Sequence, residues 1–581
     1  MRTELRLLLA IGMMIGVLVI TNLLFPPVPP PEVQLPPEAD TTRVEETQVE
    51  APVQDTPFAP AIPEIGVGET PAIPSQEVAE EPAGLVEEDV LGERQVVVEG
   101  PLYRFTFSNV GGRLLSARLL EFPSATREGA VELLHPEAGG ALGSRLLIGQ
   151  DTLDLASLLF EVEPEGGVRL EEGGPSETLR FVYRHPTHPF TYEVRYTFHP
   201  DQYIVDVHGQ VEGVDADVLF TDLGTGLPFN EQRAQDEARA SAYVVNHIQE
   251  GIRAFPLSRV SETVINEGPL LWTAFKSKYF LLAMLAGSGE TEGGDEEAYL
   301  GGVIAREVPE ENQAALTASQ TVGSSGEVAF RVFMGPQEFA RLSGFGADLE
   351  DVNPYGWKFF RPIVRPFVGI IMTILVFLHE RLSLGYGWVL ILFGVMMRIV
   401  LFPLNQKAMR AQLRNMAVQP LMKEIQAKYK DNPEKLQKEM MKLYKEHGFN
   451  PVAGCLPMLL PWPVLIALFF VFQNTIELRG VSFLWLPDLS APDPVYVLPV
   501  LLAVSMFLLQ WVSLRSMPDQ NPQMKMMMYV LPGMMFFIFF GLASGLNLYY
   551  ATANLATLPQ QIWIAGERKK AQAKMPVSSP K

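Results

Sequence analysis

The sequence predicts a polytopic α-helical membrane protein with six spans, joined to an antiparallel β-sandwich domain outside the membrane. Three observations support this fold class. Long apolar runs stand at the start of the chain and throughout its last third, an acidic proline-rich stretch follows the first run, and apolar and polar residues alternate in the middle region. A chain of 581 residues is also long enough for two or three structural units.

The composition excludes several classes of protein. The chain has 45 basic and 67 acidic residues, a formal net charge of −22. This balance argues against nucleic-acid binding through a broad basic surface, so we expect no direct binding to DNA. The single cysteine, Cys455, rules out an intrachain disulfide framework and any zinc site or redox motif that needs several cysteines.

The first element is the apolar run at residues 7–25, which we interpret as an N-terminal transmembrane anchor over residues 1–25. Nineteen helical residues extend roughly 28 Å, close to the thickness of a bilayer core. Arg2 and Arg6 precede the run and predict a cytoplasmic N-terminus. A cleaved signal peptide is the alternative, but prolines follow the run and no cleavage site of small residues does.

Residues 26–95 are predicted to form a disordered linker. They contain 14 prolines and 16 acidic residues but only two basic ones, Arg43 and Arg94. Such a composition cannot bury enough apolar surface to offset the conformational entropy of the chain, and its charges repel one another.

Residues 96–345 are predicted to form the β-sandwich. The strongest signal lies at 190–198, where aromatic and aliphatic residues occupy alternate positions, as in a strand with one buried face. A His-Pro-Asp turn at 199–201 follows, and the alternation then resumes. Shorter runs of the same kind at 102–107 and 179–184 indicate further strands of a large antiparallel sandwich.

The last third of the chain supplies five further candidate spans, at 386–404, 453–475, 494–513, 524–542 and 545–564. The run at 366–378 is different, because it has only 13 residues and charged residues on both sides. Segments of that length are more often interfacial or re-entrant than spanning. We therefore do not count it as a span.

The connection at 405–450 is strongly basic, with ten lysines and arginines against five acidic residues. The positive-inside rule places this connection and the basic tail at 567–581 in the cytoplasm, which leaves the β-sandwich in the periplasm of a double-membraned bacterium. Apolar residues at helical spacing on both sides of Asp431-Asn432-Pro433 predict a helical hairpin. This hairpin is either a solvated loop that only sets topology or a docking arm for a cytoplasmic partner.

No catalytic motif is recognisable, so we expect a protein that is not an enzyme and that needs no cofactor. The chain has no phosphate-binding loop, no zinc-protease motif and no nucleophile elbow. A metal site is a weak alternative within a group of histidines in the β-rich region, whose proline-rich spacing is more typical of turns and strand surfaces: His185, His188, His199 and His208.

Arg398 is the most informative residue. It lies within the apolar segment GVMMRIVLFPL, and a charge inside a span is energetically costly and marks a functional site by default. The alternative is that its long side chain extends to the cytoplasmic surface, about six residues or roughly 9 Å away. No acidic residue lies deep in the later spans, so an uncompensated cation there predicts a water-containing cavity that attracts negative charge.

Other polar residues of the predicted spans are candidates to line the same cavity. Each of them alone is more often an interhelical hydrogen-bonding residue or an aromatic residue of the membrane interface. They are Gln473, Asn474, Gln510, Asn547, Asn554, Tyr549 and Tyr550.

Several strings, in the same order and spacing, resemble the YidC/Oxa/Alb family of membrane protein insertases. They are Arg398 with LFPL, NPVAGCLPMLL, IELRG, PDLSAPDPVYVLPVL and SGLNLYYATANL, between residues 385 and 566. The additional first span and the large outer domain are similar to the bacterial YidC type. The resemblance implies a membrane protein insertase and chaperone with a five-helix core at 385–566, which encloses a hydrophilic groove open to the cytoplasm and to lipid.

The resemblance also implies roles for individual residues. Arg398 would be the positive charge of the groove, and 354–381 would be an amphipathic helix on the outer surface. The remaining groove residues would be Gln473, Asn547, Tyr549, Tyr550 and Asn554. An apolar slide for the substrate helix would comprise Cys455, Leu456, Pro457 and Pro532.

The partners that the resemblance implies are nascent membrane proteins, the Sec translocon and membrane lipids. The ribosome and the signal-recognition receptor would bind at 405–450 and the C-terminal tail. Two alternatives remain open from the residues themselves. One is a small-solute transporter or channel, although no internal repeat is visible, and the other is a sugar-binding or sugar-modifying outer domain, although no paired catalytic carboxylates are recognisable.

Overall fold

The structure is a computed structural model that describes residues 92–573, apart from 137, 288–297, 311, 354–360, 430–431, 447–461 and 516–521. The predicted anchor at 7–25 and almost all of the predicted linker at 26–95 lie outside the described residues. The total of six spans therefore stays a prediction.

The β domain is built from short and medium-length strands. In chain order they are β1 (Gln95–Glu99), β2 (Tyr103–Ser108), β3 (Leu114–Pro123), β4 (Ala130–Glu132), β5 (Ser144–Ile148), β6 (Asp151–Asp154), β7 (Glu161–Glu163), β8 (Val168–Arg169), β9 (Glu177–Arg184), β10 (Thr191–Phe198), β11 (Ile204–Glu212), β12 (Val218–Asp222), β13 (Ala242–His247), β14 (Gly251–Pro256), β15 (Val264–Lys276), β16 (Phe280–Ala286), β17 (Leu300–Glu307), β18 (Ala314–Thr321) and β19 (Glu327–Pro336).

These strands form two sheets that share one hydrophobic core. The smaller sheet has the order β4-β3-β2-β1-β8, and the larger has the order β6-β5-β12-β18-β17-β15-β16-β19-β11-β10-β9-β7, with β13 and β14 attached to β15. All described pairs are antiparallel except β1 with β8. Rings from the two sheets meet in the core, as Phe107 and Tyr196 do at 5.0 Å between centroids. The predicted antiparallel sandwich is confirmed.

The alternation at 190–198 corresponds to strand β10. Tyr192, Val194, Tyr196 and Phe198 are buried, while the residues between them are more exposed. A strand places successive side chains on opposite faces, so the apolar set of β10 enters the core. Its neighbours β9 and β11 pair with it along its full length.

Among the described residues, two short helices belong to the β domain and seven longer ones follow it. In chain order the described helices are α1 (Ala234–Ala240), α2 (Phe339–Ser343), α3 (Arg361–Leu382), α4 (Tyr386–Lys428), α5 (Pro433–Glu446), α6 (Trp462–Asn474), α7 (Val497–Arg515), α8 (Pro522–Phe539) and α9 (Ser544–Ala573). In the helical core α9 packs against α4 and α7, α7 packs against α8, and α3 packs against α6.

Three helical stretches among the described residues are long and apolar enough to cross a membrane: α3, residues 386–403 of α4, and α7. Shorter apolar stretches lie at 464–474 and 528–539. Apolar side chains also cover the outside of the core; Ile399 is 69% exposed and Phe537 is 77% exposed. Extended exposed apolar surface is typical of contact with lipid rather than water.

Helix α3 is longer than the apolar run at 366–378 that predicted it. It has 22 residues because the helix continues through the charged flanks at both ends. Its length and composition fit a membrane span, so shortness no longer argues against one. Its first turn contacts the β domain, where Arg365 pairs with Asp348 and Asp351. The interfacial placement of 354–381 stays a prediction.

The basic connection folds as two helices, α4 and α5, with the break at the predicted position. Helix α4 continues from the candidate span into the first arm without interruption and ends at Lys428. The side chain of Asn432 accepts a hydrogen bond from the backbone N–H of Lys435 at 3.1 Å, and Pro433 occupies the first position of α5. Asparagine as an N-cap followed by proline is a standard start of a helix. Two helices separated near Asn432 agree with the predicted hairpin, whose role and cytoplasmic placement stay predictions.

Candidate functional site

Arg398 lies on α4, 12 residues from the end of the helix that faces the β domain, which we call the outer end. That number of residues corresponds to a rise of about 18 Å. Its neighbours Ile399 and Val400 are exposed on the apolar outside of the core, whereas Arg398 itself is only half-buried. The guanidinium is therefore set back from the apolar surface that its neighbours form.

The side chain of Arg398 lies near the hydroxyl groups of Tyr549 and Tyr550 on α9, with which it interacts electrostatically. Helices α4 and α9 approach closely at Gly394, where an added Cβ would lie 3.4 Å from the carbonyl oxygen of Tyr549 and from the methyl carbon of Thr552. Tyr549 is thus level with Gly394, one turn closer to the outer end than Arg398. Side chains of a helix lean toward its N-terminus, which for α4 is the outer end. Arg398 therefore lies within about one turn of Tyr549 along the core.

Among the described residues Arg398 has no hydrogen-bond or ion-pair partner, and no carboxylate is within ion-pair distance. Among the described residues, the side chains that interact electrostatically with this cation are the neutral phenols of Tyr549 and Tyr550. A half-buried guanidinium without a counter-ion produces a positive potential that is weakly screened in a low-dielectric surrounding. This part of the core is suited to attract a negatively charged or strongly polar group.

Aromatic side chains close the core on the outer side of Arg398. Tyr549 is 4% exposed, and its ring lies 5.7 Å from that of Phe393 and 5.8 Å from that of Phe472. The ring of Tyr550 packs edge-on against Phe539 at 5.3 Å. These rings belong to a continuous apolar cluster that joins α3, α4, α6 and α9. A polar segment that reached Arg398 would meet a dry barrier beyond it.

Asn554 lies about one turn farther from the outer end than the two tyrosines. Its amide nitrogen donates a hydrogen bond to the hydroxyl oxygen of Ser505 on α7 at 3.3 Å. This is an interhelical contact of the kind common in membrane bundles. Asn554 therefore contributes a polar group on the side of Arg398 that is not closed by the aromatic rings.

Gln473 and Asn547 do not lie with Arg398, because both occupy the outer ends of their helices. Gln473 is the penultimate residue of α6 and lines a cavity of about 290 Å³ between the β domain and the core. Asn547 is fully buried near the start of α9, and its amide nitrogen donates to the carbonyl oxygen of Phe539 at 3.0 Å. That bond satisfies the end of α8, which is a structural role.

Three of the predicted slide residues, Cys455, Leu456 and Pro457, lie outside the described residues. The fourth, Pro532, lies within α8. The same helix exposes a series of large apolar side chains on the outside of the core: Tyr529, Val530, Met534, Phe537 and Ile538. This face of α8 offers an apolar surface next to lipid.

Two of the candidate histidines of the β domain, His185 and His199, make hydrogen bonds with neighbouring groups. The Nε2 of His199 lies 2.7 Å from a carboxylate oxygen of Asp206, and its Nδ1 lies 2.9 Å from the hydroxyl of Ser176. His185 accepts hydrogen bonds from backbone N–H groups of its own turn. Within the described part of the chain no three His, Cys, Asp or Glu side chains are grouped so that they could hold a metal ion.

The sequence analysis missed a contact between the outer loop of the core and the β domain. Arg479 of the string IELRG pairs with Glu231 at 2.7 Å between Nε and Oε1, and donates to the carbonyl oxygen of Pro123 at 2.8 Å. Its guanidinium also lies 5.3 Å from the centre of the Phe280 ring. A basic residue in an outer loop poor in positive charge was the available signal, but its partner is 248 residues away.

Exposed apolar helices, a half-buried cation within one of them and a large β domain define a polytopic membrane protein. Comparison with known proteins specifies the class. Residues 377–572 match the family described as 60Kd inner membrane protein, and residues 95–370 match the YidC periplasmic domain.

Individual relatives agree with these matches. The chain is 32% identical over 498 residues to membrane protein insertase YidC of Chlorobium luteolum, covering 81% of this chain and 82% of the relative. It is 30% identical over 558 residues to the insertase of the same name from Chlorobaculum tepidum, covering 91% of each chain. A crystal structure of an active YidC insertase aligns at 20% identity over 81% of this chain and 93% of that one, with a TM-score of 0.32. Neither the identity nor the TM-score is high enough to transfer the roles of individual residues.

The chain belongs to the YidC family of membrane protein insertases. It is an inner-membrane protein, and its β domain is periplasmic. The relatives give no support to a small-solute transporter.

Proposed function

We propose that this chain moves new membrane proteins into the lipid bilayer through a polar groove, in which Arg398 attracts the acidic or polar segment that must cross. The observation that carries the proposal is the placement of this guanidinium. It lies in an apolar helix near Tyr549 and Tyr550, and its side chain has no carboxylate partner among the described residues. Intramembrane charges of this kind mark functional sites because they are costly to keep.

The mechanism needs no covalent step and no cofactor. The substrate's polar segment enters from the cytoplasmic side and is held near Arg398, which shortens the dry distance that it has to cross. The aromatic cluster around Tyr549 keeps the site closed to the periplasm until the segment passes. The substrate's apolar helix then leaves sideways into lipid, and each buried CH₂ group contributes about 0.8 kcal/mol.

The groove in this proposal is lined by Arg398, Tyr549, Tyr550 and Asn554. Gln473 and Asn547 are assigned to the outer end of the core instead, for the reasons given by their contacts. We assign the exposed face of α8 to the apolar exit path, together with the predicted slide residues Cys455, Leu456, Pro457 and Pro532, of which Pro532 is buried within α8.

The basic hairpin and the tail are proposed to receive the substrate from the ribosome and the signal-recognition receptor, alone or beside the Sec translocon. Helix α5 exposes Lys435, Lys438 and Lys442 while Leu443 is buried. A positively charged exposed face of this kind is suited to a polyanionic partner such as ribosomal RNA. This arrangement requires that both termini lie in the cytoplasm.

The test is insertion by the purified protein in vesicles of a single-span substrate with an acidic outer tail, compared with the same substrate carrying amide residues in that tail. Arg398→Ala should lower insertion of the acidic substrate about tenfold, equivalent to about 1.4 kcal/mol, and change the amide substrate much less. Arg398→Lys should retain most of the activity, because the charge remains.

The matched control is Arg381→Ala, which removes the same charge from an exposed position at the end of α3. It should leave both substrates unaffected. Equal insertion of both substrates by Arg398→Ala would overturn the electrostatic role. Absence of insertion by the unaltered protein would overturn the proposed activity itself.

A further inference from the structure

The periplasmic domain has a groove that the proposed mechanism does not use. It has a volume of about 310 Å³ and lies on the solvent side of the larger sheet. Three arginines line it: Arg113, Arg145 and Arg306. Asp222 and Thr317 lie between them. We call this site the arginine groove.

Strand register places most of these residues on one face. Arg145 on β5 is opposite Phe220 on β12, two residues before Asp222, and Asp222 is opposite Thr317 on β18. Thr317 is opposite Ile304 on β17, two residues before Arg306. Residues two apart share a face of a strand, so the four polar side chains project together. Their sequence neighbours Leu146, Leu223, Leu316 and Ala305 project into the core.

The polar side chains of the groove hold one another in place. Arg145 donates from Nη2 to Asp222 at 2.8 Å and to Thr317 at 3.3 Å. The hydroxyl of Thr317 donates to the same carboxylate at 2.6 Å, and Arg306 reaches that hydroxyl at 3.4 Å. Arg113 is fixed by the carbonyl oxygens of Gly139 and Val110. The site is therefore ordered before anything binds, which lowers the entropic cost of binding.

Most donors of the groove remain unused. A guanidinium has five N–H groups. Besides the two bonds of Arg113, the hydrogen bonds from the groove arginines to described residues come from Nη2 of Arg145 and Nη2 of Arg306, while Nε of Arg145 is buried without a partner. The three arginines against one aspartate leave a net charge of about +2, although acidic residues outnumber basic ones about two to one in residues 95–340. A positive patch within an acidic domain focuses its field on negatively charged ligands.

The chemistry of the lining favours an acidic peptide over other anions. Asp222 repels a small anion but accepts N–H groups, and a peptide offers both backbone N–H donors and carboxylates. Four glycines, Gly139, Gly140, Gly143 and Gly224, line the groove and allow close approach of an extended backbone. No aromatic ring is among the lining residues, and sugar-binding sites usually stack their ligand on one.

We infer that the arginine groove binds an acidic peptide segment in the periplasm, with carboxylates paired to the free N–H groups of Arg145 and Arg306. Arginine forks pair with carboxylates through two parallel hydrogen bonds, which gives both affinity and orientation. The inference concerns the outer domain and is independent of the role of Arg398.

The test uses the full chain in nanodiscs of neutral phosphatidylcholine. The probe is a short fluorescein-labelled peptide that alternates glycine with aspartate or glutamate, and binding is followed by anisotropy. Arg306→Gln should weaken binding about tenfold, Arg306→Lys should weaken it less, and an otherwise identical peptide with asparagine and glutamine should not bind. The matched control is Arg169→Gln, an exposed arginine of the same domain outside the groove, which should bind as the unaltered chain does.

Thermal unfolding of each variant verifies that the domain is folded. If Arg306→Gln loses structure, the inference is tested by two other measurements: binding of the acidic peptide to Arg306→Lys, and binding of the amide peptide to the unaltered chain. Equal binding of acidic and amide peptides, or equal loss of binding in Arg169→Gln and Arg306→Gln, would overturn the inference. Displacement of the peptide by inorganic phosphate at an equal concentration of negative charge would also overturn it in favour of a small-anion site.

Discussion

The ion pair between Arg479 and Glu231 should hold the β domain against the helical core. The side chains of Arg479 and Glu231 are only 8% and 14% exposed, and the shortest distance between them is 2.7 Å. Arg479→Met keeps an unbranched apolar stem but removes the guanidinium, so the carboxylate of Glu231 stays buried without its cation. Removing one partner of a buried pair typically costs 3–5 kcal/mol. We therefore expect the substitution to weaken the contact between the β domain and the helical core by about 3 kcal/mol.

The loss should depend on pH. Burial raises the pKa of Glu231 above its usual range, and the Arg479 guanidinium lowers it again. Without Arg479 the pKa rises further, so Glu231 takes up a proton more readily and the cost of the substitution falls as the pH falls. We expect the full effect near pH 8 and a smaller one near pH 5.

Hydrogen exchange of the full chain in detergent measures this contact. At pH 8 the amides of 476–482 should exchange about 100-fold faster in Arg479→Met than in the unaltered chain at the same pH, equivalent to about 3 kcal/mol. The double variant with Glu231→Gln should recover part of the loss, since no buried charge remains. Arg239→Met is the control, because that arginine is 77% exposed and its pair is worth at most about 1 kcal/mol. An unchanged rate at pH 8, or an equal increase in Arg239→Met, would refute the reasoning.

Three further outcomes are expected. Gly387→Ala should lower the melting temperature, because a Cβ there would lie 2.1 Å from the Phe483 ring of the outer loop. Overpacking of this kind costs about 1–3 kcal/mol. Gly533→Ala is the control and should not lower the melting temperature, because a Cβ at that position meets open space. Asn432→Ala should cost the start of α5 about 1 kcal/mol, seen as faster amide exchange in its first turn only. Burial raises the pKa of Glu237 from 4.5 to about 7. The protonated carboxyl therefore contributes its full share of the free energy of unfolding below about pH 4.5, and this contribution is lost as the pH rises through about 7. Glu237→Gln should remove that part of the pH dependence of thermal unfolding, and an unchanged pH profile would contradict the assignment.

Local patterns were enough to predict the parts of the fold in which each residue's neighbours are close in sequence. The alternation at 190–198 predicted β10, because successive residues of a strand lie on opposite faces and the buried face is apolar. Asp431-Asn432-Pro433 predicted the break between α4 and α5 through the chemistry of a helix start. The full length of α3 was missed because the apolar run ends before the helix does, and charged residues at helix ends do not terminate a helix.

Contacts between distant segments could not be predicted in the same way. The polarity of Gln473 and Asn547 predicted that they line the groove. The position of a residue along a helix depends on where the helix begins and ends, and both residues are close to the outer end of their helices. The partner of Arg479 and the shared face of Arg145 and Arg306 depend on strand and domain pairing, which no local pattern encodes.

The uninterrupted course of α4 has a mechanical consequence. A helix of 43 residues is about 64 Å long, and it reaches from the outer loop, where Gly387 touches Phe483, to the basic arm that ends at Lys428. A rod of this length acts as a lever: a tilt of roughly 5° about its middle displaces each tip by about 3 Å. A tilt of the whole helix therefore moves the basic arm and the outer loop together, with Arg398 between them and no change in the fold of the helix.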